Sequence, residues 1–267
     1  MSLTCAICIN PAAPRLKYCS RCYKLINVTH RNYAARRKAL SNAYDKDIDA
    51  FRCFFTGAPL DEKDPMSPWF TSICPRVPGK NDDMVVASAL AVMMKTDLSA
   101  DELLTVIPEL DDHLRTGKAF NRNIILFSYW KRCVPPALRG RPANIRCRAA
   151  IACTVCGKKP FPNSPYCPRC RKFITKGCDN ATRLEALKVA WNAEQDGFLC
   201  HYTGMRLEEN NVNDPWYLVF DHLVPGQKKL AAAGFWVNDM KGVLSDAGFG
   251  KAVAEFARHI RTGEPFD

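Results

Sequence analysis

The sequence lacks a long hydrophobic run, and none of its 267 residues belongs to an apolar stretch of about 18 residues. It also lacks the basic start and short apolar stretch that a secretory signal requires. We therefore expect neither a membrane span nor secretion, and we predict an intracellular, cytoplasmic protein in a reducing compartment.

Acidic residues are missing from two long segments. Residues 1–44 contain eight Lys or Arg and no acid, and residues 122–178 contain thirteen and no acid, so the formal net charge of +11 is concentrated there. This distribution favours a polyanionic partner, which we predict to be nucleic acid, with DNA preferred to RNA. An inert basic surface is the alternative. The predicted contact residues are Arg15, Lys17, Arg21, Lys24, Arg36, Arg37, Lys38, Arg139, Arg141, Arg146, Arg148, Lys158, Lys159, Arg169, Arg171 and Lys172.

Cysteine is abundant, and its spacing indicates a metal. Eight of the fourteen cysteines form four C-x2-C pairs, which suit tetrahedral zinc better than the disulfides of a small secreted scaffold. Buried or redox-active cysteines are the alternative. We predict two structural Zn²⁺ sites, the first formed by Cys5, Cys8, Cys19 and Cys22 and the second by Cys153, Cys156, Cys167 and Cys170.

The chain repeats its own pattern. The first cysteine quartet recurs 148 positions later, Phe54–Gly57 matches His201–Gly204 at 147, and Met94-Lys95 matches Met240-Lys241 at 146. A register that drifts by two residues over this distance indicates a tandem duplication. We predict one copy at residues 1–121, a basic connector at 122–148 and a second copy at 149–267. The connector is predicted to form a helix followed by an extended segment. In the second copy the pattern predicts a strand at residues 198–202, a helix around Phe235–Lys241, and a helix from about Ser245 to Arg261 whose inward face is formed by Phe249, Val253, Phe256, Ala257 and Ile260.

The two copies differ at positions that carry reactive side chains. Asp221, His222 and Asn238 of the second copy match Cys74, Pro75 and Val92 of the first, although the flanking patterns are kept. A surface carboxylate and a packed loop histidine are the plain alternative. Because three polar residues are lost together, we predict an active second copy and a degenerate first copy.

Asp221-His222 followed by Asn238 resembles the motif of HNH (His-Me finger) endonucleases, and the roles below are what that resemblance implies. Hydrolysis of a phosphodiester needs an activated water and positive charge at the phosphate. His222 is the candidate base, and Asp221 and Asn238 are candidate ligands of one divalent ion, Mg²⁺ or Mn²⁺. Lys241, one helical turn after Asn238, is a candidate phosphate contact. His201, which matches Phe54, is a further candidate contact or a plain strand residue.

The order of these elements carries a resemblance. A strand that ends in Phe220-Asp221-His222-Leu223, a loop, a short strand and a helix with Asn238 resemble the ββα-metal core of HNH (His-Me finger) endonucleases, over roughly residues 198–245. The Asp-His-then-Asn version is similar to phage junction-resolving endonucleases, which pair that core with a four-cysteine zinc site. In those enzymes the zinc ligands are interleaved with the core, whereas here they precede it.

Composition and resemblance together predict an α+β fold: a tandem repeat of a four-cysteine zinc-knuckle module followed by a ββα-metal (HNH-like) unit with flanking helices. The resemblance implies a metal-dependent endonuclease. The difference between the copies implies one active centre per chain, so a cut through both strands needs two chains, as in a homodimer, or two successive nicks. A non-catalytic zinc protein that binds RNA or DNA within a larger complex is the alternative, and a structural scaffold is a third.

Overall fold

The structure is a computed structural model that describes residues 4–27, 32–124, 150–162, 164–174 and 180–264. Within these ranges, helices alternate with four two-stranded antiparallel sheets, so the predicted α+β class is confirmed. No helix in the described ranges is both long and apolar enough to cross a bilayer. The helix and extended segment predicted for the connector, and the candidates Arg139, Arg141, Arg146 and Arg148, lie outside the described residues.

The described residues of the N-terminal half form four helices and four strands. In chain order these are α1 (Ser20–Ile26), α2 (Tyr33–Ala43), β1 (Tyr44–Asp45), β2 (Ala50–Phe51), β3 (Thr71–Pro75), β4 (Met84–Ser88), α3 (Ala89–Lys95) and α4 (Ala100–Thr116). A short 3₁₀ turn follows at Arg122–Ile124.

The C-terminal half contains the same elements in the same order. They are α5 (Pro168–Ile174), α6 (Asn180–Ala190), β5 (Trp191–Asn192), β6 (Gly197–Phe198), β7 (Leu218–His222), β8 (Leu230–Gly234), α7 (Phe235–Lys241) and α8 (Asp246–Thr262). Apart from the zinc-module helices, each pair of matching elements is offset by 146 or 147 residues, as a tandem duplication requires.

The sheet that carries the candidate residues is a two-stranded ladder of β7 and β8. Asp221 pairs with Ala231 and His222 pairs with Leu230, at the end of the ladder where β7 finishes. Strand β8 runs directly into α7 through Gly234. The helix predicted at Phe235–Lys241 is confirmed with the same bounds.

The strand predicted at residues 198–202 is shorter than expected. Only Gly197–Phe198 forms a paired strand, because the chain then closes a turn in which Gly204 N–H bonds to Cys200 O at 2.9 Å. Gly204 has φ of 63°, a left-handed conformation that glycine adopts without strain. The turn also brings His201 N–H to Ala232 O at 2.9 Å, which places His201 and Tyr202 beside β8.

Helices α4 and α8 begin with similar caps. Ser99 and Glu102 form a capping box, with Ser99 N–H donating to Glu102 at 2.7 Å and Glu102 N–H donating to Ser99 Oγ at 3.1 Å. In α8, Gly248 N–H donates to Ser245 Oγ at 3.1 Å. The predicted inward face of α8 is confirmed at Phe249, Val253, Phe256 and Ala257, which are all buried, whereas the fifth predicted residue, Ile260, is half-buried.

Spatial contacts divide the chain into two units. The first unit takes the described residues of Met1–Asp112, Asn123–Trp130 and Gly250–Asp267, and the second takes those of His113–Arg122 and Lys131–Phe249. The copies at 1–121 and 149–267 are boundaries of the sequence repeat, and as independent domains they stay a prediction.

Candidate functional site

Both predicted cysteine quartets come together. In each quartet the four Sγ atoms lie within 4.8 Å of one another. Cys8 Sγ lies 3.5 Å from Cys19 Sγ, and Cys156 Sγ lies 3.5 Å from Cys167 Sγ. A tetrahedron with metal–sulfur bonds of about 2.3 Å has edges of about 3.8 Å, so the spacing of these sulfur atoms suits one zinc ion per quartet.

Local structure explains how each quartet forms. The second pair of each quartet flanks the first turn of a short helix, where Cys22 N–H donates to Cys19 Sγ at 3.4 Å and Cys170 N–H donates to Cys167 Sγ at 3.4 Å. N–H groups at the start of a helix favour negative charge on these sulfur atoms. The same spacing therefore sets both the position and the electrostatics of the ligands.

The pKa values of the thiols indicate that each quartet is stabilised by a bound cation. Burial acts to raise the pKa of Cys5 and Cys153, but backbone N–H groups outweigh it and lower each pKa to about 7. Burial and the neighbouring sulfur atoms raise the pKa of Cys22 and Cys170. A divalent cation relieves this repulsion between sulfur atoms, so the donor set fits Zn²⁺.

An arginine between the second pair of cysteines connects each quartet to the rest of its unit. Arg169 forms a bidentate ion pair with Glu209, and its Nη1 lies 3.1 Å from Asp196 Oδ1. In the first unit, Arg21 pairs with Glu62 in the same way and lies 3.0 Å from Asp49.

Arg21 and Arg169, predicted to contact nucleic acid, are thus engaged within the protein. Arg36 is buried and donates to Leu25 O at 2.9 Å. Lys172 and Arg171 are half-buried. Of the other predicted contact residues in the described ranges, the exposed ones are Arg15, Lys17, Lys24, Arg37, Lys38, Lys158 and Lys159.

The end of β7 carries a buried ion pair. Asp221 is only 5 % exposed, and Lys241, at the end of α7, is 1 % exposed. The Lys241 ammonium lies 3.0 Å from Asp221 Oδ2 and donates to His222 O at 2.7 Å. Lys241 therefore reaches back to the end of β7 and is not on the surface, where the predicted phosphate contact would require it.

Two residues that the sequence argument did not single out extend this pair. The Tyr202 hydroxyl contacts Asp221 Oδ2 and also lies 2.7 Å from Asp246 Oδ1. Burial and both carboxylates raise the pKa of Tyr202 above its usual value. Asp246 Oδ2 in turn lies 2.9 Å from His201 Nε2. We call Lys241, Asp221, Tyr202, Asp246 and His201, together with the adjacent His222, the polar network.

His222 lies at the exposed edge of the network. Its Nδ1 donates to Gln227 O at 2.6 Å, which leaves Nε2 with the lone pair that a general base needs. His113 and His259 make the same bond, to Lys118 O and Glu264 O, where it closes a turn at the end of a helix. The bond alone is therefore no mark of a base, and what distinguishes His222 is its place next to Asp221.

Asn238 lies in the middle of α7 and is half-buried. Its backbone carbonyl accepts from Gly242 N–H at 3.1 Å, which ends the helix. Its proposed role as a metal ligand stays a prediction.

The first unit has apolar residues in place of nearly the whole network. The residues that match His201, Tyr202, Asp221, His222 and Asp246 are, in order, Phe54, Phe55, Cys74, Pro75 and Ala100. Only the lysine is kept: Lys95 is 3 % exposed, and burial lowers its pKa. Burial also raises the pKa of Cys74 to about 11, so the thiol is no substitute for the lost carboxylate at neutral pH.

The fit of a divalent cation to the polar network depends on Lys241. Asp221, Asp246 and the Asn238 amide are oxygen donors of the type that Mg²⁺ or Mn²⁺ prefers. The Lys241 ammonium nevertheless lies within 3.3 Å of both Asp221 oxygens, so an ion there has to share or displace it. Among the described residues outside the two quartets, no three His, Cys, Asp or Glu ligand atoms lie within 4.8 Å of one another. The residues fit such an ion in chemistry, with Asp246 as the more open carboxylate at 32 % exposure.

Comparison of this chain with models of protein families, with curated proteins and with solved structures finds no match to any of them.

Proposed function

We propose that this protein is a metal-dependent endonuclease of the HNH type, which hydrolyses phosphodiester bonds of nucleic acid, DNA in preference to RNA, at one centre in the second unit. The observation that carries the proposal is the contrast between the units. Six polar residues meet at the end of β7, and five of them match apolar or thiol side chains in a first unit that keeps the same elements. Loss of this set with the scaffold retained favours a chemical role over a structural one.

The arrangement of two antiparallel strands followed by a helix supports the resemblance to the ββα-metal core. Asp221 and His222 end the first strand, and Asn238 lies on the helix that follows the second. In the proposed mechanism His222 Nε2 takes a proton from the attacking water, while the bond from Nδ1 to Gln227 O fixes the ring. When bound, a divalent ion held by Asp221 and Asn238 supplies positive charge to the scissile phosphate.

Lys241 and Tyr202 are positioning residues in this proposal. Lys241 bonds to the carboxylate of Asp221 and to the backbone carbonyl of His222, so it fixes both residues relative to α7. The Tyr202 hydroxyl lies against the carboxylates of both Asp221 and Asp246 and donates its single hydrogen to one of them. Neither residue needs to touch the substrate.

Nucleic acid binding is assigned to the exposed basic residues of the zinc modules. Arg15, Lys17 and Lys24 lie in the segment that carries the first quartet, Arg37 and Lys38 lie on α2, and both segments belong to a stretch without acids. Such a surface attracts phosphates and gives binding that weakens with salt.

The buried ion pair of Lys241 and Asp221 favours a second candidate, a non-catalytic zinc protein that binds RNA or DNA within a larger complex. A lysine that already neutralises Asp221 leaves less need for a metal ion there. The zinc quartets and the basic surface serve both candidates equally.

One experiment distinguishes the two candidates. Wild type, His222→Ala and the control His113→Ala are incubated with plasmid, branched DNA and RNA, with and without Mg²⁺ or Mn²⁺. The control is matched because His113 makes the same Nδ1 bond at 2.6 Å. We expect His222→Ala to lose about 100-fold or more in cleavage rate while it binds nucleic acid as wild type does. Wild-type binding without cleavage of any substrate would replace this proposal with the non-catalytic candidate, and full cleavage by His222→Ala would refute the role of His222 as the base.

A further inference from the structure

The second unit contains a segment that the first copy supplies. Helix α4 belongs to the first copy, but its last turn lies within His113–Arg122, which belongs to the second unit. In the same way, helix α8 begins in the second unit and continues into Gly250–Asp267, a stretch that belongs to the first unit. Each unit therefore takes one segment from the end of the other copy.

Phe120 packs this segment into the core of the second unit. Its side chain is 3 % exposed, and its ring stacks on Trp236 with centroids 5.9 Å apart and planes 26° apart. The same ring meets the edge of Trp216 at 6.0 Å, and Trp216 meets Trp236 at 5.5 Å. The three rings form one cluster in which each contacts the other two, with the offset and edge-to-face geometry that aromatic pairs favour.

Arg122 adds polar contacts to the same segment. Its guanidinium lies 5.0 Å from the centroid of the Trp216 ring, and its Nη1 donates to Arg206 O at 3.4 Å. A guanidinium over an indole ring is an attractive contact. The segment is thus held in the second unit both by aromatic packing and by its arginine.

The two tryptophans lie next to the elements that carry the candidate centre. Trp216 comes two residues before β7, the strand that ends in Asp221 and His222. Trp236 is the second residue of α7 and comes two residues before Asn238. Because one phenylalanine ring packs on both, it restrains the start of α7 relative to the start of β7. A displacement of about 1 Å at a catalytic centre can slow a reaction about 100-fold, so this restraint matters for chemistry.

The repeat provides a matched residue for comparison. Phe266 matches Phe120 at an offset of 146, and Trp69 matches Trp216 at 147, whereas Leu90 stands where the second copy has Trp236. Phe266 itself lies outside the described residues. A change at Phe266 therefore alters the equivalent position of a copy that carries no candidate centre.

We propose that Phe120 is a positioning residue of the candidate centre, and that the degenerate first copy is retained because it supplies this residue to the second unit. The inference rests on the proposed function. Phe120 acts through Trp216 and Trp236, which place β7 and α7, and it has no contact with substrate in this role. The second copy alone would lack a part of the core on which its own α7 packs.

The first test measures cleavage by Phe120→Ala, Phe120→Leu and Phe266→Ala in the full chain with zinc bound. Rates are compared with wild type on one oligonucleotide, at a temperature where circular dichroism shows every variant to be folded. We expect Phe120→Ala to lower kcat about tenfold or more while KM stays within about twofold. Phe120→Leu should recover most of the loss because leucine refills much of the volume. Phe266→Ala should keep the wild-type kcat.

The second test follows α7 without any substrate. Amide hydrogen exchange of the intact chain is measured for residues 235–241. Phe120→Ala should speed exchange there about tenfold or more, and Phe266→Ala should leave it unchanged. If Phe120→Ala does not fold, Phe120→Leu carries both comparisons, with smaller effects expected in the same direction.

The outcomes separate positioning from stability. A folded Phe120→Ala with normal kcat reduces Phe120 to a role in stability and overturns the inference alone. Equal losses in Phe120→Ala and Phe266→Ala, or a lower kcat with unchanged exchange in α7, overturn the route through Trp236. A wild type that cleaves no substrate overturns the proposed function, and the positioning role with it.

Discussion

The duplicated lysines offer a matched test of how the polar network is stabilised. Lys241 and Lys95 end equivalent helices and are almost fully buried, at 1 % and 3 % exposure. Lys241 has Asp221 at 3.0 Å, whereas no carboxylate oxygen of the described residues lies within 4.0 Å of the Lys95 ammonium. Each lysine is to be replaced by Met, which keeps the length of the side chain and removes its charge.

The expected costs differ because of what each substitution leaves behind. Lys241→Met leaves Asp221 buried without its counter-ion, and breaking a buried pair in this way costs about 3–5 kcal/mol of unfolding free energy. Lys95→Met removes a buried charge that has no such partner, so it should cost less than about 1 kcal/mol or stabilise the first unit.

Denaturant unfolding with zinc present measures both effects. Of the five tryptophans, Trp191, Trp216 and Trp236 lie in the second unit, Trp69 lies in the first and Trp130 lies outside the described residues. Tryptophan fluorescence therefore weights the second unit, and far-UV circular dichroism covers both. In a double-mutant cycle, Asp221→Asn combined with Lys241→Met should cost less than the sum of the single changes. Equal costs for Lys241→Met and Lys95→Met, or an additive cycle, would refute the role given to the pair.

Metal analysis should find two zinc ions per chain in the wild type and one zinc ion per chain in Cys170→Ser. Fewer than one zinc ion per chain in folded wild type would contradict the assignment of the quartets as zinc sites. Because burial lowers the pKa of Lys95, the unfolded chain binds more protons just below pH 10.5, so stability should rise with pH there, and Lys95→Met should abolish that part of the rise. Arg169→Ala should cost roughly 3 kcal/mol in thermal or denaturant unfolding, because it strands a buried carboxylate, whereas Lys158→Ala at an exposed ion pair should cost under about 1 kcal/mol. If Arg37 contacts a phosphate of duplex DNA, Arg37→Ser should reduce the salt dependence of binding by about 0.9 log unit; an unchanged slope places the contact elsewhere.

Local spacing made part of this site predictable. Two C-x2-C pairs bring four sulfur atoms together wherever a turn and a helix start lie between them, so the quartets follow from short-range pattern. Helix α7 was equally predictable because an apolar stripe begins directly after a strand and ends at Gly242. Both depend on residues close together in the chain.

Tyr202 and Asp246 could not be found in that way, because Tyr202 contacts Asp221 across 19 residues of chain and Asp246 across 44, with no shared motif. Alignment of the two copies would have identified both residues, because it matches Tyr202 with Phe55 and Asp246 with Ala100. The same register pairs His113 with His259, 146 residues apart, and both prove to close helix ends. The sequence did not show that Arg21 and Arg169 form ion pairs within the protein, because their carboxylate partners lie about forty residues further along the chain.

A comparison of the residues kept in both units with those present only in the second unit distinguishes a role in stability from a role in chemistry. The arginine–glutamate pair beside each quartet is retained with its second carboxylate, and each links a zinc module to its own strands. If the arginine–glutamate pair has a role in folding, both units should retain it, because a unit that lacks either residue loses a buried ion pair. The polar network behaves in the opposite way: apolar residues replace most of it in the first unit, and the strands and helix around it keep their bounds and register. A network needed for folding would have been costly to replace, so its presence in the second unit alone is better explained by a task that one unit performs.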